Sequence, residues 1–121
     1  MIHPASADRL TADEKHEVHN ARVIEFESGA ISGKEFVFSL VNQCGFSEME
    51  AKREWQQIRD LGNVEIYKKN CGDVVYYQRP HVPEWEAARV LNFYAQSVGV
   101  VVDIGNGLQV PFSLFELRAM K

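Results

Sequence analysis

Residues 45–78 read GFSEMEAKREWQQIRDLGNVEIYKKNCGDVVYYQ, and the change of rhythm inside this stretch decides the fold. Ser47 and Glu50 stand at the spacing of a capping box, in which each side chain satisfies a backbone N–H that a helix start leaves bare. Behind them Ala51, Trp55 and Ile58 recur at intervals of four and three, the mark of one apolar helical face, and Gly62 supplies a stop. After Gly62 the period changes to two. VEIYKK and DVVYYQ flank Asn70-Cys71-Gly72, which predicts a β-hairpin whose turn uses Asn70 and Gly72 for backbone conformations that other residues disfavour.

Upstream the same punctuation occurs twice more. Thr11 and Glu14 form a capping box, with Asp13 and Glu14 also suiting the positive end of a helix, and Ser32 and Glu35 form another. Val18, Ala21 and Ile24 predict the inner face of the first helix, which stops before Gly29. Ile31 has room for a single β-bridge. Phe36, Val37, Leu40 and Val41 give the second helix its apolar stripe, ended by Gly45. Residues 1–10, with Pro4 and Ser6 and little periodicity, predict a loosely held arm.

Three helices followed by a hairpin, in this order and spacing, resemble a winged helix-turn-helix domain over residues 11–79. The resemblance rests on ISGKE opening the second helix, the tight CGFS turn, Ser47, Ala51, Trp55 and Ile58 in the third helix, and the Ile58, Gly62, Val64, Glu65 passage toward the wing. It implies that the third helix lies in the DNA major groove and that the wing touches the backbone or minor groove. By position it assigns Glu48, Lys52, Arg53, Gln56 and Gln57 to the exposed face of a reading helix, and Lys68 and Lys69 to the wing. Lys52, Arg53, Lys68 and Lys69, with Arg59 and Arg79, are candidates to meet phosphates, and Gln56 or Gln57 to pair with adenine. Glu48 and Glu50 in the first turn oppose a phosphate-facing role. A charged, exposed helix is equally what a solvated face looks like, and winged helices also serve as protein-binding and dimerisation modules.

Composition sets the outer bounds. At 121 residues the chain suits one domain, and 45% hydrophobic and 25% charged residues are ordinary for a globular protein. The formal net charge of −4 argues against a strongly basic polyanion binder. Acidic residues gather in the first 35 positions, whereas from 47 to 79 the signs balance. MIHPASADRL lacks the basic and apolar regions of a secretory signal, and no apolar run approaches the ~20 residues of a membrane span, so the expected location is cytoplasmic with no membrane partner. Cys44 and Cys71 predict two reduced thiols, one at the end of a buried helix and one in a turn.

Residues 80–121 extend the domain. Pro83, Glu84 and Glu86 predict a helix start, with Trp85, Ala88, Leu91 and Ala95 spaced for burial and an end near Gln96. VGVVVDIGNGLQVPF predicts a second hairpin about Asn106-Gly107, with Pro111 suited to an edge strand. Leu114, Phe115 and Leu117 predict a short docked helix or tail. This extension reads either as further core or as a surface for self-association.

No nucleophile motif, phosphate-cradling glycine loop or catalytic carboxylate pair occurs, and DIGNG lacks the helix that a dinucleotide fingerprint requires. His16 and His19, three apart with Glu17 between them, are spaced to chelate but lack a third ligand; His81 reads as a loop residue and His3 as part of the arm. The sequence therefore predicts a single α+β domain, a winged helix with a C-terminal helix and second β-hairpin, with no catalytic residues, metal or cofactor. Its first functional reading is a DNA-binding transcriptional regulator, dimeric on double-stranded DNA. The second is a small adaptor or inhibitor of mobile-element type that binds a protein partner through the same frame or its acidic surface.

Overall fold

Helix formation follows the caps. In the computed structural model, which describes residues 10–96 and 98–121, α1 spans Ala12–Ser28, α2 Gly33–Gln43 and α3 Glu48–Asp60, and Thr11, Ser32 and Ser47 each close the reciprocal capping box expected of them. The arm expected at 1–10 lies, apart from Leu10, outside the described residues. No helix among the described residues is long and apolar enough to cross a membrane.

The three helices pack through α2, which contacts both α1 and α3. Phe36 and Leu40 are fully buried and Val37 nearly so, with Val41 packed against them. Gly33 is required at the α2–α3 contact because a Cβ there would stand 2.6 Å from Trp55 Nε1 and 2.8 Å from Phe115 Cδ1. The α1 face differs from expectation. Phe26 is buried with Val18 and Val23 packed nearby, while Ile24 is 67% exposed and Ala21 points outward. The inner line is Val18, Arg22 and Phe26 at intervals of four, and the half-buried Arg22 hides that line from a hydrophobic pattern. Ile31 packs against the core without a β-bridge.

The second half of the chain is a four-stranded antiparallel meander, β1 Val74–Gln78, β2 Trp85–Tyr94, β3 Gly99–Asp103 and β4 Gln109–Ser113, with spatial order equal to sequence order. Val75, Tyr77, Ala88, Val90, Val100 and Val102 point from the sheet into the common core. A 3-10 turn at Leu114–Glu116 follows, burying Leu114, and the chain returns so that Arg118 bridges Tyr76 on the outer edge of β1. The hairpin about Asn106-Gly107 forms as expected between β3 and β4, and Pro111 lies on the edge strand. Cys44 is a buried free thiol and Cys71 an exposed one; burial pushes the Cys44 thiol up, against weaker influences of Arg22 and Lys15.

Two expected elements are corrected. The first hairpin does not form: residues 65–68 make a single 3-10 turn, with Val64 and Ile66 buried, and β1 pairs with β2 instead. Two buried residues two apart imitate a strand's alternation here. The Asn70–Asp73 turn exists, but it docks on β2, Gly72 N–H donating to Val90 O at 2.8 Å and Val90 N–H to Asp73 O at 2.9 Å. The helix expected from Pro83 to Gln96 is β2. Its inward residues are Ala88, Val90 and Phe93, because an irregularity between Val90 and Asn92 breaks the period of two. The helical series of Trp85, Ala88, Leu91 and Ala95 is therefore not an inner face, since Leu91 and Ala95 are exposed. Ala95 and Gln96 take left-handed φ values of 51° and 56°, which end the strand and are incompatible with a continuing right-handed helix.

Candidate interaction surfaces

The outer face of α3 follows from its amphipathic inner face. With Ala51 and Ile58 buried and Trp55 half-buried, Lys52, Arg53, Gln56 and Gln57 are all exposed. Glu48, Met49, Lys52, Arg53 and Gln56 line one shallow depression, and Met49 is 72% exposed at it. Lys52 Nζ lies 3.1 Å from Glu48, one turn earlier. Arg53 has no carboxylate partner within ion-pair distance among the described residues. Glu50 is spent on the cap: its bonds from Ser47 hold the carboxyl below its ordinary range, with a further contribution from Arg53.

The cations expected on a wing stand elsewhere. Lys68 belongs to the 3-10 turn and pairs with Glu65 at 3.1 Å, and Lys69 is half-buried in the extended residue that follows. Neither is carried forward on a hairpin tip. Between positions 48 and 69 five carboxylates balance five cations, and Arg59 also pairs with Asp60 at 3.1 Å. Arg59 lies 5.1 Å from the centre of the Trp55 ring. Among the described residues the Trp55 indole N–H and the Tyr67 hydroxyl are buried with no hydrogen bond of ordinary geometry; burial pushes the Tyr67 phenol up, against weaker opposing effects of the Arg59 charge and the nearby Trp55 N–H.

A larger groove of about 1030 Å³ runs between α2 and the β1–β2 connection. Ile31, Phe38, Val82, Trp85 and Phe112 supply its apolar surface, and Lys34, Asn42, Arg79, His81 and Glu116 its polar lining. One wall is held in shape by Gln78 Nε2–H donating to Pro83 O at 3.1 Å and Val82 N–H donating to Arg79 O at 3.2 Å. His81, between two prolines, has φ +65°. Behind the groove, Arg118 donates from Nε and Nη2 to the two Glu35 oxygens at 2.8 and 2.5 Å and lies 4.1 Å from the Trp85 ring centre. Burial acts to raise the Glu35 carboxyl, but the Arg118 and Ser32 bonds outweigh it and hold the group below its ordinary value.

The histidines are separated. His16 is exposed, while His19 bonds Glu54 at 3.0 Å and packs against Phe46 at 5.2 Å, so the pair spaced for chelation in the sequence faces two environments. Among the described residues no group of three or more His, Cys, Asp or Glu is arranged to hold a metal.

Sequence reasoning missed the groove because it joins three distant segments through the β1–β2 pairing. One local signal existed: Phe38 lies off the stripe of Phe36, Val37, Leu40 and Val41, which places a large aromatic side chain on the outer face of α2. No protein-family model, curated protein or solved structure matches this chain. Function is therefore read from the surfaces themselves.

Proposed function

We propose that this protein is a non-enzymatic interaction module whose α3 face binds a protein partner, the adaptor reading. The observation that carries it is the chemistry of that face: Met49 stands 72% exposed among charges that are balanced and partly paired within the chain. A phosphate-binding surface gains affinity from cations free to replace counterions, and Lys52 and Lys68 already have carboxylate partners. A flexible, polarisable methionine ringed by polar groups suits contact with a protein surface. Three helices preceding an antiparallel sheet are compatible with a winged-helix-like frame, and such a frame accommodates protein binding as readily as DNA binding.

DNA reading by α3 is the second proposal, favoured by Arg53, Gln56 and Gln57, exposed on one helix. A fluorescein-labelled random-sequence duplex, titrated at low salt, separates the two. The adaptor reading expects no saturable binding. Binding that weakens with salt at about −0.9 per phosphate in log–log slope, and that disappears in a Lys52→Glu, Arg53→Glu variant, would transfer the assignment to DNA. A photo-crosslinking amino acid at position 49 should, in turn, capture one discrete protein in nuclease-treated extract, whereas the same group at position 107 should not.

A further inference from the structure

We infer that the groove between α2 and the β1–β2 connection is a self-association surface, occupied by the same groove of a second copy of this chain. This groove shares no lining residue with the depression on α3.

The first observation is a stripe. Lys34, Phe38 and Asn42 recur at intervals of four along α2, so they share one face; all three are exposed and all line the groove. Phe38, at 68% exposure, is a full aromatic ring left in solvent. The second observation concerns charge. Arg22 pairs with Glu25, Arg79 with Glu86, and Glu35 with Arg118. Of the charged lining residues this leaves Lys34 and Glu116, one of each sign, with no ion-pair partner among the described residues. The third is the rigid opposing wall, in which prolines on either side of a left-handed His81 and two hydrogen bonds fix the loop before anything binds.

A twofold interface must be complementary to itself, residue i of one copy meeting j of the other and j meeting i. Among the described residues of the groove, one cation and one anion without an ion-pair partner beside one exposed aromatic ring satisfy that condition. A twofold axis passing between Lys34 and Glu116, which line the same groove, would set Lys34 of each copy against Glu116 of its partner with Phe38 beside them. An outside partner would have to supply both charges and an apolar contact, whereas a second copy brings all three.

Sedimentation velocity on the full chain over a concentration series tests this through charge reversal. Wild type should pass from monomer to dimer as concentration rises. Lys34→Glu and Glu116→Lys should each weaken dimerisation by at least about tenfold, since each sets like charges together at two places. The double reversal in one chain should restore it, and an equimolar mixture of the two single variants should form a heterodimer. Phe38→Ser, at an exposed site that folding does not depend on, should also weaken the dimer while circular dichroism stays unchanged. A wild-type chain that stays monomeric up to its solubility limit would overturn the inference, as would a dimer indifferent to both single reversals or single losses that neither the double variant nor the mixture repairs.

Discussion

Arg118→Ala tests how the helical layer is fastened to the sheet. The guanidinium makes two hydrogen bonds to Glu35 and covers the Trp85 ring. Charge-assisted bonds of this kind reach ~1.5 to 3 kcal/mol when enclosed, but the Glu35 side chain is 35% exposed, so solvent screening reduces the pair to about 1 kcal/mol. The cation–π contact adds about 0.5 to 1 kcal/mol. The expected loss is about 2 kcal/mol, which for a chain of this size lowers Tm by roughly 6 to 12 °C. The backbone pairing of Arg118 with Tyr76 survives the truncation, so the fold should persist.

The pH dependence separates the ion pair from lost packing. Glu35 is held below its ordinary carboxyl value in the folded chain, so its contribution is fully present above the unfolded value near 4.5 and is lost as pH falls through the folded value. The stability gap between wild type and Arg118→Ala, measured by urea unfolding, should therefore narrow from pH 7 to pH 3, leaving mainly the Trp85 contact. Glu35→Gln refines this, because glutamine at the third helical position can still close the capping box with Ser32 while the charge is gone. A double-mutant cycle between the two positions should return a coupling of about 1 kcal/mol. A coupling indistinguishable from zero, or a gap that does not change with pH, would refute the role given to this pair.

Three further outcomes are expected. Trp55→Ala should cost about 2 to 3 kcal/mol in urea unfolding, less than the ~3 to 5 of a fully enclosed tryptophan, because the ring is only half-buried against Phe115. Gly29→Ala should destabilise by about 2 kcal/mol or more, since Gly29 has φ +84° and a Cβ there would meet Ala119 Cβ at 2.2 Å; adding Ala119→Gly should recover the steric part, and a thermal melt showing no recovery would mean that the backbone conformation accounts for the whole loss. Ser47→Ala should cost about 1 kcal/mol by removing the α3 cap, with unchanged content of β structure by circular dichroism.

How much of this was legible in the sequence depended on how local the determining interactions are. The three helix starts were legible because Thr11, Ser32 and Ser47 meet their partners three residues away, and the β3–β4 hairpin because Asn106 and Gly107, at φ 55° and 75°, set the turn themselves. Residues 64–78 and 83–96 misled for one shared reason: β1 was offered a nearer partner, Val64–Lys69, while its true partner β2 carried Trp85, Ala88, Leu91 and Ala95 at a helical spacing, of which Leu91 and Ala95 are exposed. Strand pairing is decided between segments, and a bulge that shifts the inward set by one residue erases the alternation by which a strand is recognised. The changed pairing also moves the residues expected on a wing. A hairpin drawn at 64–78 carries Lys68 and Lys69 on its tip, whereas pairing β1 with β2 leaves Lys68 beside Glu65 in a turn and Lys69 just after it, and moves the projecting loop to 79–84, where it faces Phe38 across the groove. Lys68 and Lys69 thus lie in a segment whose charges balance between positions 48 and 69, and the groove created by the β1–β2 pairing is where an aromatic ring stands exposed beside two opposite charges that have no ion-pair partner among the described residues.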